Sequence, residues 1–245
     1  MIVVLVAALL GITNSEITIA QVSESDSLHA EGNLEADLGN YDRALTYYDL
    51  ALNKNSSNID VLNDKGLALM NLHRYGESIA SFKKALAIEP NFTYALVNTA
   101  ISLGELGKDT EAITYYDKAL DIDPENFDAL FSKATALLNM GNFSKALESY
   151  DKALAIDPNN TDTLINRGIA LSHINKSAEA LESYDKALAI DPNNGAALVN
   201  KGILYSLAGN FSKALESYDK ALAIDPNNTD ALYNREFTLK NMKQS

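Results

Sequence analysis

The residues best suited to hold a metal ion lie in the stretch "DIDPENFD". Asp121, Asp123 and Glu125 alternate there as in the first turn of a calcium-binding loop. Such a loop also needs a glycine at its sixth position and a bidentate glutamate at its twelfth. Those positions hold Asn126 and Ser132, and the same register elsewhere in the chain reads "AIDPNN". The pattern therefore indicates a recurring turn, and we predict no metal site.

Other patterns of catalytic or cofactor-binding residues are missing from the sequence. The chain has no cysteine, which excludes disulfides, thiolate metal ligands and a cysteine nucleophile. It contains neither glycine-rich phosphate-binding motif and no G-x-S-x-G nucleophile motif. His29, His73 and His173 lack the spacing of metal ligands. We therefore expect a protein that is not an enzyme and binds no cofactor.

The prolines indicate which elements must carry any binding site. All five follow one another at intervals of 34 residues: Pro90, Pro124, Pro158, Pro192 and Pro226. Such a fixed period is the signature of a repeat architecture. With each proline at repeat position 32, residues 21–24 form a linker and 229–245 a terminal half repeat that caps the array. Six full repeats lie between them, at 25–58, 59–92, 93–126, 127–160, 161–194 and 195–228.

Each repeat reads as two α-helices joined by a tight turn. In the repeat 127–160, apolar residues recur at helical spacing through both halves. Gly141 and Asn142 predict the turn between the helices, and Ser144 is a suitable N-cap for the second helix. Pro158 cannot continue that helix and ends the unit. The sequence therefore predicts an all-α fold, an α-solenoid of antiparallel helix pairs.

The repeat resembles the tetratricopeptide repeat (TPR) over residues 25–245. The resemblance rests on a large apolar residue at position 4, small residues at 8, 20 and 27, an aromatic residue at 24 and proline at 32. Position 8 holds Gly32, Gly66, Ala100, Ala134, Gly168 and Gly202, and position 24 holds Tyr48, Phe82, Tyr116, Tyr150, Tyr184 and Tyr218. The resemblance implies a right-handed superhelix, a concave groove lined by the first helices, and a function in protein binding.

Two rows of residues on the first helices are candidates for the binding groove. An apolar row at position 5 comprises Val97, Phe131, Ile165, Val199 and Tyr233. Beside it, position 6 comprises Asn98, Asn166, Asn200 and Asn234, with Asp64 and Ser132 completing the row. The side-chain amides could pair with the backbone of an extended peptide whose side chains enter apolar pockets. Alternatively, the apolar row packs helix against helix and the asparagines are ordinary surface residues.

The charge of the chain restricts the partners that the groove could bind. Asp and Glu number 33 against 20 Lys and Arg, a net charge of −13. A field of this sign disfavours nucleic acid and anionic membrane surfaces. The groove also lacks the Lys and Arg set with which similar repeats clamp acidic C-terminal tails. We therefore expect a protein or peptide partner that is neutral or basic.

The amino-terminal segment 1–20 differs in kind from the repeats. Its apolar run "MIVVLVAALLGI" is too short for a bilayer span, which needs about 20 residues. Its length suits a secretory signal cleaved before Gln21, although no basic residue precedes the run. We expect export or membrane anchoring through this segment, which would be the only part to meet a membrane. The alternative is a cytoplasmic protein in which the segment is a first helix buried on the end of the solenoid.

These observations favour a non-catalytic interaction scaffold that binds an extended peptide or a partner domain in its concave groove. One alternative is a targeting or assembly subunit of an enzyme complex whose catalysis resides on another chain. Another is a passive structural element of the cell envelope. The sequence alone does not distinguish these three functions, because repeat proteins share one architecture and differ in groove chemistry.

Overall fold

The computed structural model describes residues 23–243, and this part of the chain is all α-helical, with thirteen helices and no strand. The first helices of the successive units are α1 (Glu24–Asp37), α3 (Ile59–Asn71), α5 (Thr93–Glu105), α7 (Phe127–Asn139), α9 (Thr161–His173), α11 (Gly195–Leu207) and α13 (Thr229–Met242). The second helices are α2 (Tyr41–Lys54), α4 (Tyr75–Ile88), α6 (Asp109–Ile122), α8 (Phe143–Ile156), α10 (Ser177–Ile190) and α12 (Phe211–Ile224).

The segment 1–20, for which we predict export or anchoring, lies outside the described residues. The described part begins with Ser23, whose side chain caps α1 by accepting a hydrogen bond from the backbone N–H of Asp26 at 3.0 Å. Between residues 23 and 243, every helix falls short of the length and apolar character that crossing a bilayer requires.

The helices form two layers. Each helix packs against the next along the chain, which gives the continuous stack of a solenoid. Each first helix also contacts the first helix of the next unit, whereas among the thirteen described helices no second helix contacts the next second helix. Neighbours on the inside of a curved stack lie closer together than those on the outside. The first helices therefore line the concave side, as the resemblance implies.

Backbone hydrogen bonds make the turn within each repeat very tight. After α7, the N–H of Gly141 donates to the carbonyl of Leu138 at 2.9 Å, and that of Asn142 donates to Leu137 at 2.8 Å. Gly141 takes the left-handed conformation, with φ of 75°, that this motif requires. Because the turn is so short, α8 already begins at Phe143 and Asn142 is its N-cap. The prediction that Ser144 caps this helix is wrong, since Ser144 lies within its first turn.

Asparagine ends the connection between repeats by capping the next first helix. Asn160 and Asn228 accept hydrogen bonds at 2.9 Å from the backbone N–H groups of Thr163 and Ala231. Equivalent asparagines cap α3, α7 and α11. Such a cap satisfies a backbone donor that the helix cannot use itself. The second asparagine of "PNN" therefore fixes where the next helix starts, whereas the sequence pattern indicates only a turn.

The helices of one repeat approach closely where a small residue faces an aromatic ring. The rings of Tyr184 and Tyr218 are buried against Gly168 and Gly202. A Cβ atom on Gly168 would lie 2.4 Å from Cε1 of Tyr184. Helices can approach this closely only where one of them carries no side chain at the contact, which explains the small residue at position 8.

Ion pairs join neighbouring repeats in a regular ladder. A lysine or arginine at position 7 of a first helix pairs with an aspartate at position 25 of the preceding repeat. The pairs are Lys65–Asp49, Lys133–Asp117, Arg167–Asp151, Lys201–Asp185 and Arg235–Asp219. At the remaining junction the same positions hold Thr99 and Lys83. The basic residues at position 7 are thus turned towards the outer layer and away from the concave side.

Candidate protein-binding surface

We define the inner surface as positions 2, 5, 6, 9, 12 and 13 of the first helices. The structure places three residues of the predicted apolar row inside the repeat cores. Val97, Ile165 and Val199 are only 6–7% exposed and pack within core clusters. Helix packing accounts for their apolar character and leaves little of them for a ligand. We therefore do not include these three residues in the binding surface.

The other two members of the apolar row are accessible on the inner surface. Phe131 is half-buried, and its ring stacks on that of Phe127 with centroids 6.1 Å apart. Tyr233, on the terminal helix α13, is 70% exposed. These two aromatic residues lie more than one hundred positions apart in the sequence, so the row is not a continuous apolar stripe.

The residues at position 6 are half-buried, and their polar groups take part in local hydrogen bonds. The amide of Asn98 donates to Asn63 at 3.3 Å, and Asn166 hydrogen-bonds the hydroxyl of Tyr150. The amide nitrogens of Asn200 and Asn234 donate to the carbonyls of Ala196 and Asp230, four residues earlier in the same helices, at 3.0 and 2.8 Å. Of these two side chains, the carbonyl oxygen is thus the group best able to meet the backbone N–H of a peptide.

Asp64 differs from the asparagines because it pairs with a histidine across two repeats. Its carboxylate lies 2.6 Å from Nε2 of His29 on α1. Both side chains are partly exposed on the inner surface. The pair ties α1 to α3, and the other carboxylate oxygen of Asp64 accepts a hydrogen bond from the amide of Asn63 at 3.4 Å.

The inner surface of the six full repeats is acidic and has no fixed cation. Its carboxylates are Asp26, Asp37, Asp60, Asp64, Glu105, Asp128 and Asp162, and none of these positions holds lysine or arginine. The lysine and arginine residues of α3, α7, α9 and α11 all occupy position 7, where they pair with the preceding repeat. Lysine and arginine side chains of the same surface therefore do not neutralise the negative field, and among these carboxylates His29 pairs only with Asp64.

Two depressions lie on the inner surface between neighbouring first helices. The α1/α3 depression, of about 320 Å³, includes Asn33, Asp37, Tyr41, Tyr48 and Asp64 in its lining. The α5/α7 depression, of about 260 Å³, includes Glu105, Asp109, Tyr116, Phe131 and Ser132. Of these residues, Asp64, Phe131 and Ser132 belong to the rows that the sequence singled out. The acids at positions 13 and 17 were missed because they do not recur in every repeat.

Nearby carboxylates contribute to the raised pKa values of the tyrosines in the two depressions. Burial raises the pKa of Tyr116 to about 12, and the carboxylates of Asp109 and Glu105 contribute to this increase. Burial likewise raises the pKa of Tyr48, with contributions from Asp64 and Asp37. At the equivalent Tyr184, burial alone raises the pKa. Nearby carboxylates thus contribute at the tyrosines of both depressions and not at Tyr184.

The calcium-like stretch is a turn between repeats. The side chain of Asp123 accepts a hydrogen bond from the backbone N–H of Glu125 at 3.2 Å, and Asn126 caps α7. Over residues 23–243, no group of three or more His, Asp or Glu side chains is placed to hold a metal ion.

Comparisons with known proteins agree with this architecture. Tetratricopeptide repeat family models match residues 29–91, 127–160, 161–194 and 195–228, and a further TPR repeat model matches 102–141. No curated protein sequence matches the chain significantly.

Solved proteins share this fold with the chain at low sequence identity. YrrB, described as a TPR protein with an unusual peptide-binding site, is 24% identical, with 77% of this chain and 97% of that chain covered and a TM-score of 0.67. A tetratricopeptide repeat protein from Parabacteroides merdae is 18% identical, with coverage of 90% and 88% and a TM-score of 0.75. PilW, a type IV pilus biogenesis factor, is 20% identical, with coverage of 85% and 97% and a TM-score of 0.76. With its 34-residue period, its two-layered solenoid and these matches, the chain belongs to the tetratricopeptide repeat family.

Proposed function

We propose that this protein is a non-catalytic scaffold that binds an extended segment of a partner protein on its inner surface. The observation that carries the proposal is the composition of that surface, where seven carboxylates and a row of asparagines lie beside aromatic side chains without any lysine or arginine in the full repeats. A neutral or basic segment fits this charge, whereas an acidic tail would be repelled. The peptide-binding description of YrrB, a protein of the same fold, supports the class of function.

Affinity capture with the full chain as bait, followed by variants of the inner surface, tests this proposal. We expect the combined substitutions Asn98→Ala, Asn166→Ala, Asn200→Ala and Asn234→Ala to weaken the captured partner about tenfold or more, because each removes a polar contact of about 0.5–1.5 kcal/mol. A matched variant of the exposed outer layer, Glu148→Ala with Glu216→Ala, should bind as well as the unmodified protein. Unchanged binding by the asparagine variant would refute the assignment of the inner surface.

We further propose that residues 1–20 direct the protein out of the cytoplasm or anchor it to a membrane. The support is the length and composition of the apolar run, which suit a secretory signal. Mass spectrometry of the amino terminus of the mature protein, together with cell fractionation, tests this. An intact amino terminus on a protein found only in the cytoplasmic fraction would contradict it.

A further inference from the structure

The two depressions of the inner surface are built from the same repeat positions. Every residue that lines the α1/α3 depression has its counterpart 68 residues later in the lining of the α5/α7 depression. Thus Asp37 corresponds to Glu105, Tyr48 to Tyr116 and Asn71 to Asn139. Because the period is 34 residues, the two depressions lie two repeats apart.

Acidic residues distinguish these two places from their equivalents in other repeats. The α1/α3 depression holds Asp37 and Asp64, and the α5/α7 depression holds Glu105 and Asp109. The corresponding positions 13, 17 and 6 around α7/α9, α9/α11 and α11/α13 hold only Asn, Phe, His, Ser and Leu. The space between α3 and α5 shares Glu105, but the other positions there are Asn71, Tyr75 and Asn98. At these positions the negative charge is therefore concentrated at two inter-helix spaces, which are separated by the α3/α5 space.

Each depression also offers an apolar wall beside its carboxylates. Tyr41 and Leu67 line the first depression, and Phe131 and Ile101 line the second. A lysine or arginine packs its aliphatic stem along such a wall while its charged end reaches acidic groups. An aromatic face gives additional attraction to the cation. Both depressions therefore have the chemistry of a receptor for one long basic side chain.

The distance between the depressions determines the spacing of the basic residues in a ligand. Helices that pack against each other lie about 8–10 Å apart, so two repeats correspond to roughly 20 Å along the inner surface. An extended chain advances about 3.3 Å per residue, so roughly six residues cover this distance. Side chains of an extended segment alternate between its two faces, so residues separated by an even number point the same way.

We infer that the inner surface recognises an extended segment with two lysine or arginine residues about six positions apart, one for each depression. This inference rests on the proposed function, because it names the ligand chemistry of the same surface. It predicts a requirement for spacing, which a diffuse acidic surface would not impose.

Fluorescence anisotropy with labelled peptides and the full chain tests the inference. The peptides are neutral, extended Ser/Ala sequences with two lysines placed two, six or ten positions apart, so that both side chains share one face in all of them. We expect the six-residue spacing to bind about three- to tenfold more tightly than the other two, since only it engages both depressions. A peptide with glutamine in place of both lysines should not bind measurably. Equal affinity at all three spacings would overturn the inference.

Variants of the full chain locate the binding on the surface. We expect Asp37→Asn with Asp64→Asn, or Glu105→Gln with Asp109→Asn, to reduce binding of the six-residue-spaced peptide about three- to tenfold and to abolish the preference for that spacing. The matched control, Asp128→Asn with Asp162→Asn, also removes two charges from the inner surface but touches neither depression. An equal loss in the control would show that only the overall charge matters and would refute the inference.

The outcome also distinguishes this inference from the proposed function. If no spacing is preferred but the asparagine variant still loses its captured partner, the two-depression inference fails alone. If the captured partner is also unaffected, the inner surface is not the binding site and both fail. Circular dichroism of each variant establishes that its helices are intact.

Discussion

Replacing Gly168 with alanine tests the packing that joins the two helices of a repeat. Gly168 lies within α9 and faces the ring of Tyr184, which is almost completely buried. A Cβ atom at this position would lie 2.4, 2.8 and 2.9 Å from three ring atoms, whereas ordinary contacts begin at 3.4 Å. The ring or the helix must therefore move by about 1 Å to admit one methyl group.

Two opposing effects determine the sign of the change in stability. Alanine is more favourable than glycine inside a helix by about 1 kcal/mol. Overpacking a buried contact costs about 1–3 kcal/mol. Repeats that carry Ala100 and Ala134 at this position accommodate a methyl group, so we place the cost of overpacking near the middle of that range. The expected net effect is a loss of about 1 kcal/mol in the free energy of unfolding.

Gly76→Ala provides the matched control. Gly76 is also helical, in α4, but it is exposed, and an added Cβ would meet no atom within 4 Å. Helix propensity then acts alone, and we expect stability to rise by up to about 1 kcal/mol. The two substitutions of the same residue type should therefore differ by about 2 kcal/mol and have opposite signs.

Denaturant unfolding measures the total effect, and amide hydrogen exchange locates it. Repeat arrays open locally, so Gly168→Ala should weaken the protection of α9 and α10 more than that of α1 and α2. If both alanine variants were stabilised equally, propensity would govern this position and the steric argument would be refuted.

Two further predictions concern backbone conformation and pH. His73→Gly should raise the free energy of unfolding by about 0.5–1 kcal/mol, because His73 holds the left-handed conformation with φ of 57°. Asn175→Gly should give a smaller gain, since asparagine tolerates its φ of 61° better. Thermal unfolding measures both changes, and a loss of stability for His73→Gly would contradict the argument. Burial raises the pKa of Tyr116 to about 12 from an unfolded value of 10.0, so stability contributed by its neutral form should be present below pH 10 and lost as the pH rises through 12. Phenolate absorbance with circular dichroism follows this, and ionisation of Tyr116 near pH 10 with intact helices would contradict it.

The sequence predicted the helices well because the same local signals recur in every repeat. Proline at position 32 and a turn residue before position 17 recur along the chain. A helix boundary placed wrongly in one repeat would therefore disagree with the boundaries predicted for the other repeats. The sequence alone places the start of the second helix one residue too late, with Ser144 as its cap, because a serine before an apolar run has the appearance of an N-cap. The backbone bonds of Gly141 and Asn142 leave no room for that extra residue before the helix.

The candidate site was harder to predict than the fold. An apolar side chain at position 5 has the same appearance in a sequence whether it meets a ligand or a neighbouring helix. The structure shows that Val97, Ile165 and Val199 meet neighbouring helices. Conversely, Asp37, Glu105 and Asp109 line the two depressions of the groove. Most other repeats have no acidic residue at the same positions, so the repeat pattern does not predict these three.

The sequence by itself therefore determined the repeat, its two helices and the net negative charge, because these depend on local propensities and on composition. Only the tertiary structure decided which side of each first helix is free. The ion-pair ladder turns the basic residues of position 7 towards the preceding second helices, while the carboxylates at position 13 remain on the concave side. Charges that are mixed along the sequence are thus separated in space, because residues that are neighbours on a helix point to different faces.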